Sequence, residues 1–205
     1  MKTSLTPLHQ DLAALLPDTL HAACQARSYK KGEVLFAMGD KPQAMFFVES
    51  GEVVLQRMSL QGDAVVLQRA SRGFVAEASL QSVRYHCDAR VVAASHITHV
   101  GLVELQEAMA TDPIFAQRWI LMLNSELRRL RLQCERLALN RVQDRLLHLI
   151  ETEGTAGHLP MGAGLKSLAG QIGVTHEALY RCVAGLVKAQ RLQRSPQGLF
   201  LVNSA

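Results

Sequence analysis

The sequence predicts an α+β fold: an N-terminal antiparallel β domain, one long helix, and a C-terminal winged helix-turn-helix. Three observations predict it. Short β-rich runs recur between about Arg27 and Leu105, separated by turn residues. From Ile114 to about Leu139 neither Gly nor Pro interrupts a helical apolar pattern. Residues 168–181, Leu-Ala-Gly-Gln-Ile-Gly-Val-Thr-His-Glu-Ala-Leu-Tyr-Arg, have the grammar of two helices joined by a tight turn.

The first 26 residues carry Leu8, Leu12, Leu15, Leu16 and Leu20, punctuated by Pro7 and Pro17, which suits one or two short helices. The β-rich runs follow: Val34–Phe36, Met45–Val48, Val53–Leu55, Val65–Leu67, Ala89–Val92 and Ile97–Leu102. Lys31-Gly32, Met38-Gly39-Asp40, Ser50-Gly51 and Gln61-Gly62-Asp63 read as the turns between them. Many short strands at regular spacing predict a barrel or sandwich.

Asp112-Pro113 is a clean helix start, with Asp at the cap and Pro at the first helical position. Along that helix Trp119, Leu123, Leu127, Leu130, Cys134 and Leu137 recur at three- and four-residue steps. Arg128, Arg129, Arg131, Glu135 and Arg136 take the other faces. This is the pattern of a coiled-coil seam, so a homodimer is expected; the competing reading is a helix packed on its own domain. Asn140-Arg141 reads as a hinge, Val142–Glu153 as a helix ended by Gly154, and Thr155–Gly164 as a linker. The expected domains are thus 1–111, 112–139 and 140–205.

In the helix-turn-helix, Leu168, Ala169 and Ile172 give an apolar face and Gly173 supplies a residue that tolerates positive φ. Thr175 is an N-cap, and the second helix opens with His176, Glu177, Tyr180 and Arg181. Glu177 and Arg181 are i,i+4 neighbours on one face, an acceptor beside a guanidinium, which suits G·C edges in the major groove. Leu192–Arg194, a Ser195–Gly198 turn and Leu199–Val202 read as a wing whose Arg191 and Arg194 reach phosphates. Charge agrees. Residues 166–205 hold Lys166, Arg181, Lys188, Arg191 and Arg194 against Glu177 alone, which accounts for the whole formal net charge of +4. Double-stranded DNA is the expected partner.

The β-roll segments Tyr29–Asp40 and Phe46–Val53, with glycine-marked turns at Gly32, Gly39 and Gly51, complete a pattern. In its order of an antiparallel β-roll, a long helix and a winged helix-turn-helix, the chain resembles the CRP/FNR superfamily of bacterial transcription regulators. The resemblance implies a homodimer on a palindromic site, with RNA polymerase as a partner. It implies that Glu177 accepts from a cytosine amino group and Arg181 donates to guanine or phosphate. His176 stands where the family carries a first Arg, and Tyr180 where one branch has Ser.

The resemblance also locates an effector pocket at Glu77, Arg84, Cys87, Asp88, Leu130 and Arg131. Cyclic-AMP binders carry Gly-Glu at the start of this cassette and Arg-Ser at its end. Here Glu77 follows Ala76, Cys87 and Asp88 take the Arg and Ser places, and Leu130-Arg131 replace a Thr-Ser pair. A carboxylate repels a phosphate, so cyclic AMP is not the expected effector. Haem, through His86, Cys87, His96 or His99, and a redox signal at Cys182 are the alternatives. A thiol following Arg181 has basic neighbours that could lower its pKa.

Other classes fall away. Cys24, Cys87, Cys134 and Cys182 have no metal-type spacing, and a disulfide framework is not expected. No Walker A loop, nucleophile elbow or HExxH pair is present, and Gly157–Gly162 lacks the Lys-Ser/Thr that a phosphate loop needs. His86-Cys87-Asp88 alternate faces on a strand and cannot form a triad. No catalytic or metal site is expected. A stand-alone ligand-binding module is disfavoured by the C-terminal motif and charge. No apolar run approaches the roughly 18 residues of a membrane helix, and Met1–Gln10 lacks a signal-peptide core, so a cytoplasmic location is expected.

Overall fold

A computed structural model describes residues 8–60, 62, 64–161 and 164–202. The chain divides into two compact units, Met1–Leu121 and Met122–Ala205. In the first, α1 (Gln10–Leu15) and a 3-10 turn (Asp18–Ala23) precede six strands: β1 (Cys24–Tyr29), β2 (Val34–Phe36), β3 (Ala44–Met58), β4 (Ala64–Ala70), β5 (Gly73–Val75) and β6 (Asp88–Gly101). The sheet is antiparallel, ordered β1-β6-β3-β4, with β2 also on β6 and β5 also on β3.

Its spine is the β3–β6 pair, whose ladder extends from Ala44↔Gly101 to Gln56↔Asp88 with register shifts between Val48 and Val53. Sequence reading separates Met45–Val48 from Val53–Leu55, and Ala89–Val92 from Ile97–Leu102. Each pair is in fact one strand. Ser50-Gly51 is a bulge inside β3, because the ladder to β6 resumes on both sides of it. Ser95, buried, stitches that bulge: its Oγ accepts from the Glu52 amide at 3.0 Å and donates to the Ala93 carbonyl at 2.8 Å. Beyond the bulge each long strand changes partners. β3 passes from β5 to β4, and β6 passes from β2 to β1. The sheet therefore curls around Phe36, Phe46, Val53, Val75, Tyr85 and Ile97. Phe36 stacks on Tyr85 with centroids 3.8 Å apart, and the Tyr85 hydroxyl donates to the Ala44 carbonyl at 2.9 Å.

Leu102, expected to end a strand, instead opens α2 (Leu102–Thr111), an element the sequence reading missed. α3 (Pro113–Ala138) begins as expected: Asp112 Oδ1 accepts from the amides of Ile114 and Phe115 at 2.9 and 3.0 Å. Trp119 corrects the expected seam. It is fully buried, edge-on to Phe74 at 5.1 Å and 6.0 Å from Phe115, so it packs on its own domain. Leu127, Leu130 and Leu137 do remain exposed.

The second unit holds the rest of α3, then α4 (Val142–Glu153), β7 (His158–Pro160), α5 (Gly164–Gln171), α6 (His176–Lys188), β8 (Leu192–Ser195) and β9 (Gly198–Leu201). Thr155–Gly164 is more than a linker. β7 pairs with β9 to make a three-stranded wing, and Leu159 is buried in the unit's core with Leu146, Leu149, Ile172, Leu179 and Leu199.

The bulge gives a prediction. Gly39 and Gly51 both have φ near +90°, but a Cβ at Gly39 meets nothing within 4 Å, whereas one at Gly51 runs into Ser95 Oγ and the Ala94 carbonyl. Gly39→Ala is expected to cost about 1–2 kcal/mol for the left-handed backbone. Gly51→Ala is expected to cost at least about 1 kcal/mol more for overpacking, read as midpoints of chemical unfolding. Equal losses would show that the bulge has room.

Candidate nucleic-acid interface

α5 ends because its last turn closes on a left-handed residue. Gly173 has φ of +67°, and the Val174 amide donates to the Ala169 carbonyl at 3.0 Å. Thr175 then starts α6: its Oγ1 accepts from the Ala178 amide at 3.2 Å. Leu179, Val183 and Leu186 form the buried stripe of α6. That stripe leaves His176, Glu177, Tyr180 and Arg181 exposed on the first turns.

The Glu177 carboxyl is held below the ordinary carboxylate range, first by its own backbone N–H, then by the Thr175 hydroxyl and the charges of His176 and Arg181. It is an ionised acceptor at neutral pH. Tyr180, half-exposed, lies 6.2 Å from the His176 ring, and the Arg194 guanidinium sits 5.8 Å over the Tyr180 ring. A wing arginine is thereby aligned with the exposed face of α6, a contact no sequence spacing reveals. Lys188, Arg191 and Arg194 are exposed. Cys182 is half-buried, and burial followed by the Asp144 carboxylate raises its pKa. That corrects the expectation of an activated thiol.

The effector-cassette residues have structural partners. Ala76 adopts φ of +72°, a conformation that costs a non-glycine residue about 1–2 kcal/mol. Glu77, half-buried, opens a 3-10 turn, Glu77–Ser79. Arg84 Nη1 donates to the Gly39 carbonyl at 2.7 Å, and Asp88 Oδ1 accepts from the Met38 amide at 2.8 Å. Both candidate residues therefore hold the turn at residues 38–40. Cys87 is buried in the sheet core with its thiol pKa raised, chiefly by burial. A buried thiol and an amide-bound carboxylate thus occupy the places where the resemblance expects an Arg and a Ser. Leu130 and Arg131, in the second unit, are exposed.

The proposed haem ligands are likewise engaged. His96 Nδ1 lies 3.1 Å from Ser28 Oγ, His86 Nδ1 lies 3.4 Å from Ser79 Oγ, and His99 Nε2 lies 2.6 Å from the Tyr29 hydroxyl. His99 lines a cavity of about 790 Å³ with Arg27, Lys41, Tyr85 and Glu104. Among the described residues no cluster of three His, Cys, Asp or Glu could hold a metal ion, and no helix is long and apolar enough to cross a membrane.

An antiparallel β-roll, a long helix and a winged helix-turn-helix define a class that known structures share. Residues 26–112 match the model of the cyclic nucleotide-binding domain. A candidate cAMP-binding regulatory protein from Silicibacter pomeroyi is 26% identical, with a TM-score of 0.60 over 94% of this chain and 90% of that one. FixK2 from Bradyrhizobium japonicum reaches a TM-score of 0.68 at 19% identity, covering 88% of this chain and 93% of its own. CLP, a c-di-GMP-responsive global regulator of Xanthomonas campestris, reaches 0.61 at 22% identity, over 89% and 96%. A search of curated proteins returned no match. Residues 26–112 are thus similar to the cyclic nucleotide-binding domain, and the chain carries the fold of these solved structures.

His99 supplies a pH prediction. Burial, with the Arg27 charge second, lowers its pKa from 6.5 to about 4. The unfolded chain therefore binds a proton between these values that the folded protein refuses. Stability present above pH 6.5 is lost as pH falls toward 4 and is constant below it. His99→Gln is expected to flatten that part of the denaturation profile between pH 7 and 4. An unchanged slope would assign the loss to other groups.

Proposed function

We propose that the chain is a homodimeric, sequence-specific transcription regulator that reads a palindromic DNA site through α6 and does not depend on cyclic AMP. The observation that carries this reading is the Thr175-capped α6, which exposes His176, Glu177, Tyr180 and Arg181 beside the wing's Arg194. Glu177 accepts from a cytosine amino group and Arg181 donates to the guanine edge. Lys188, Arg191 and Arg194 neutralise phosphates, which makes affinity salt-dependent.

Dimer formation is supported by α3. Leu123, Leu127, Leu130, Cys134 and Leu137 follow alternating steps of four and three, and Leu127, Leu130 and Leu137 remain exposed in the single chain. A two-fold axis along that seam presents two copies of α6 to half-sites about 34 Å apart. RNA polymerase is the further partner implied for such a regulator. The departure of Cys87 and Asp88 from phosphate chemistry supports independence from cyclic AMP. A redox reading through Cys182 is disfavoured by its raised pKa and the Asp144 carboxylate beside it.

Glu177→Ala tests the base-reading role. Titrated against its own site and against the same site with one G·C pair replaced, the variant is expected to lose roughly 1–3 kcal/mol of discrimination at that pair. Its affinity for unrelated duplexes should be retained. Uniform weakening on every sequence would remove Glu177 from base readout.

A further inference from the structure

Two helices of the second unit end at one side chain. Arg145, on α4, donates from Nε to the Leu139 carbonyl at 2.7 Å and from Nη2 to the Leu137 carbonyl at 3.1 Å. Its Nη1 donates to the carbonyls of Ile172 and Gly173 at 3.2 and 3.1 Å. The first pair are carbonyls at the end of α3; the second pair lie just past the end of α5, in the turn that leads to α6. Terminal carbonyls lack intrahelical donors and carry the negative end of the helix dipole. A planar guanidinium with five N–H donors satisfies four of them at once, which an ammonium cannot do. The approach is close: a Cβ on Gly173 would lie 2.7 Å from Leu137 Cδ2 and 3.5 Å from Arg145 Nη1.

A second tie runs in parallel. Arg136 of α3, only 1% exposed, is paired with Glu153 at the end of α4. The other Glu153 oxygen accepts from Gln171, the last residue of α5, at 3.0 Å. The tail of α3 is thus fastened to α5 at two points, on both sides of the Asn140-Arg141 break. A free hinge at that break, the expectation from sequence, is replaced by a clamped joint.

We infer that Arg145 is a positioning residue that fixes α6 to the tail of α3, so that pairing of α3, and not bending at Asn140-Arg141, sets the spacing of the two DNA half-sites. The inference rests on the proposed DNA reading. Its test uses the full-length protein as wild type, Arg145→Met and Arg145→Lys. Amide exchange at Gly173, Val174 and Thr175 is measured without DNA, and affinity is measured on palindromes whose half-site spacing differs by one or two base pairs. Wild type is expected to prefer one spacing by tenfold or more. Arg145→Met is expected to raise exchange at the turn about tenfold and reduce the spacing preference to within threefold, with its helical circular dichroism kept. Arg145→Lys should fall between, and it decides the matter if the Met variant does not fold.

Faster exchange with the wild-type spacing preference would make Arg145 a merely structural residue and overturn the inference. Unchanged exchange in a folded variant would overturn the clamp itself. A wild type that prefers no spacing, while the turn loosens in the variants, would place the failure in the DNA reading, and the half-site role would fall with it.

Discussion

Helix ends that need donors organise the second unit. α3, α5 and α6 each stop within a few residues of a chain reversal, and each stop leaves carbonyls without intrahelical partners. α6 answers internally: the amides of Gln190 and Arg191 return to the carbonyls of Val187 and Leu186 at 3.0 Å. α3 and α5 share an external answer in the Arg145 guanidinium. Because one cation serves both, the position of the turn before α6 depends on where α3 ends. The apolar core of Leu146, Ile172, Leu179 and Leu199 supplies the stabilising burial, and the polar joint supplies the orientation.

The first unit meets a different constraint, that of keeping two very long strands paired while the sheet curls. Bulges at Ser50 to Val53 let β3 and β6 bend without losing the ladder, and Ser95 satisfies the polar groups that the bulge exposes. In the same unit, residues of the expected effector cassette are bound to backbone. Arg84 and Asp88, a cation and an anion that composition alone would offer to a ligand, bind backbone groups of the 38–40 turn. Their hydrogen bonds fasten that turn to the segment between Arg84 and Asp88, with the Gly39 amide donating to the Tyr85 carbonyl at 2.9 Å as a third tie. Side chains that serve as turn anchors are not free to greet an anion.

Local physics was the legible part of the sequence. Thr175 as a cap, Gly173 as a left-handed residue and Asp112-Pro113 as a helix start depend on neighbours a few residues away, so spacing reveals them. The continuity of β3 and β6 was hidden because Ser50-Gly51 has the composition of a turn, and only the partner strand tells a bulge from a reversal. Trp119 continues the seam spacing, yet periodicity does not say what a face packs on; Phe74, distant in sequence, decides it. Arg145 did leave a trace. It falls with Val142, Leu146 and Leu149 on the i, i+3, i+4, i+7 face of α4, an arginine inside an apolar stripe. Arg136 left less, since among the many arginines of α3 nothing marks the one that is buried.

Whether α6 reads sequence, in pairs, without a cyclic nucleotide decides the role of the second unit. The most direct measurement is selection from a random duplex library by the purified, reduced protein at fixed salt with no effector added. The expected result is enrichment of a palindrome with a G·C pair in each half-site and half-site centres about one helical turn, roughly 34 Å, apart. Salt-sensitive binding with no enriched sequence would contradict it.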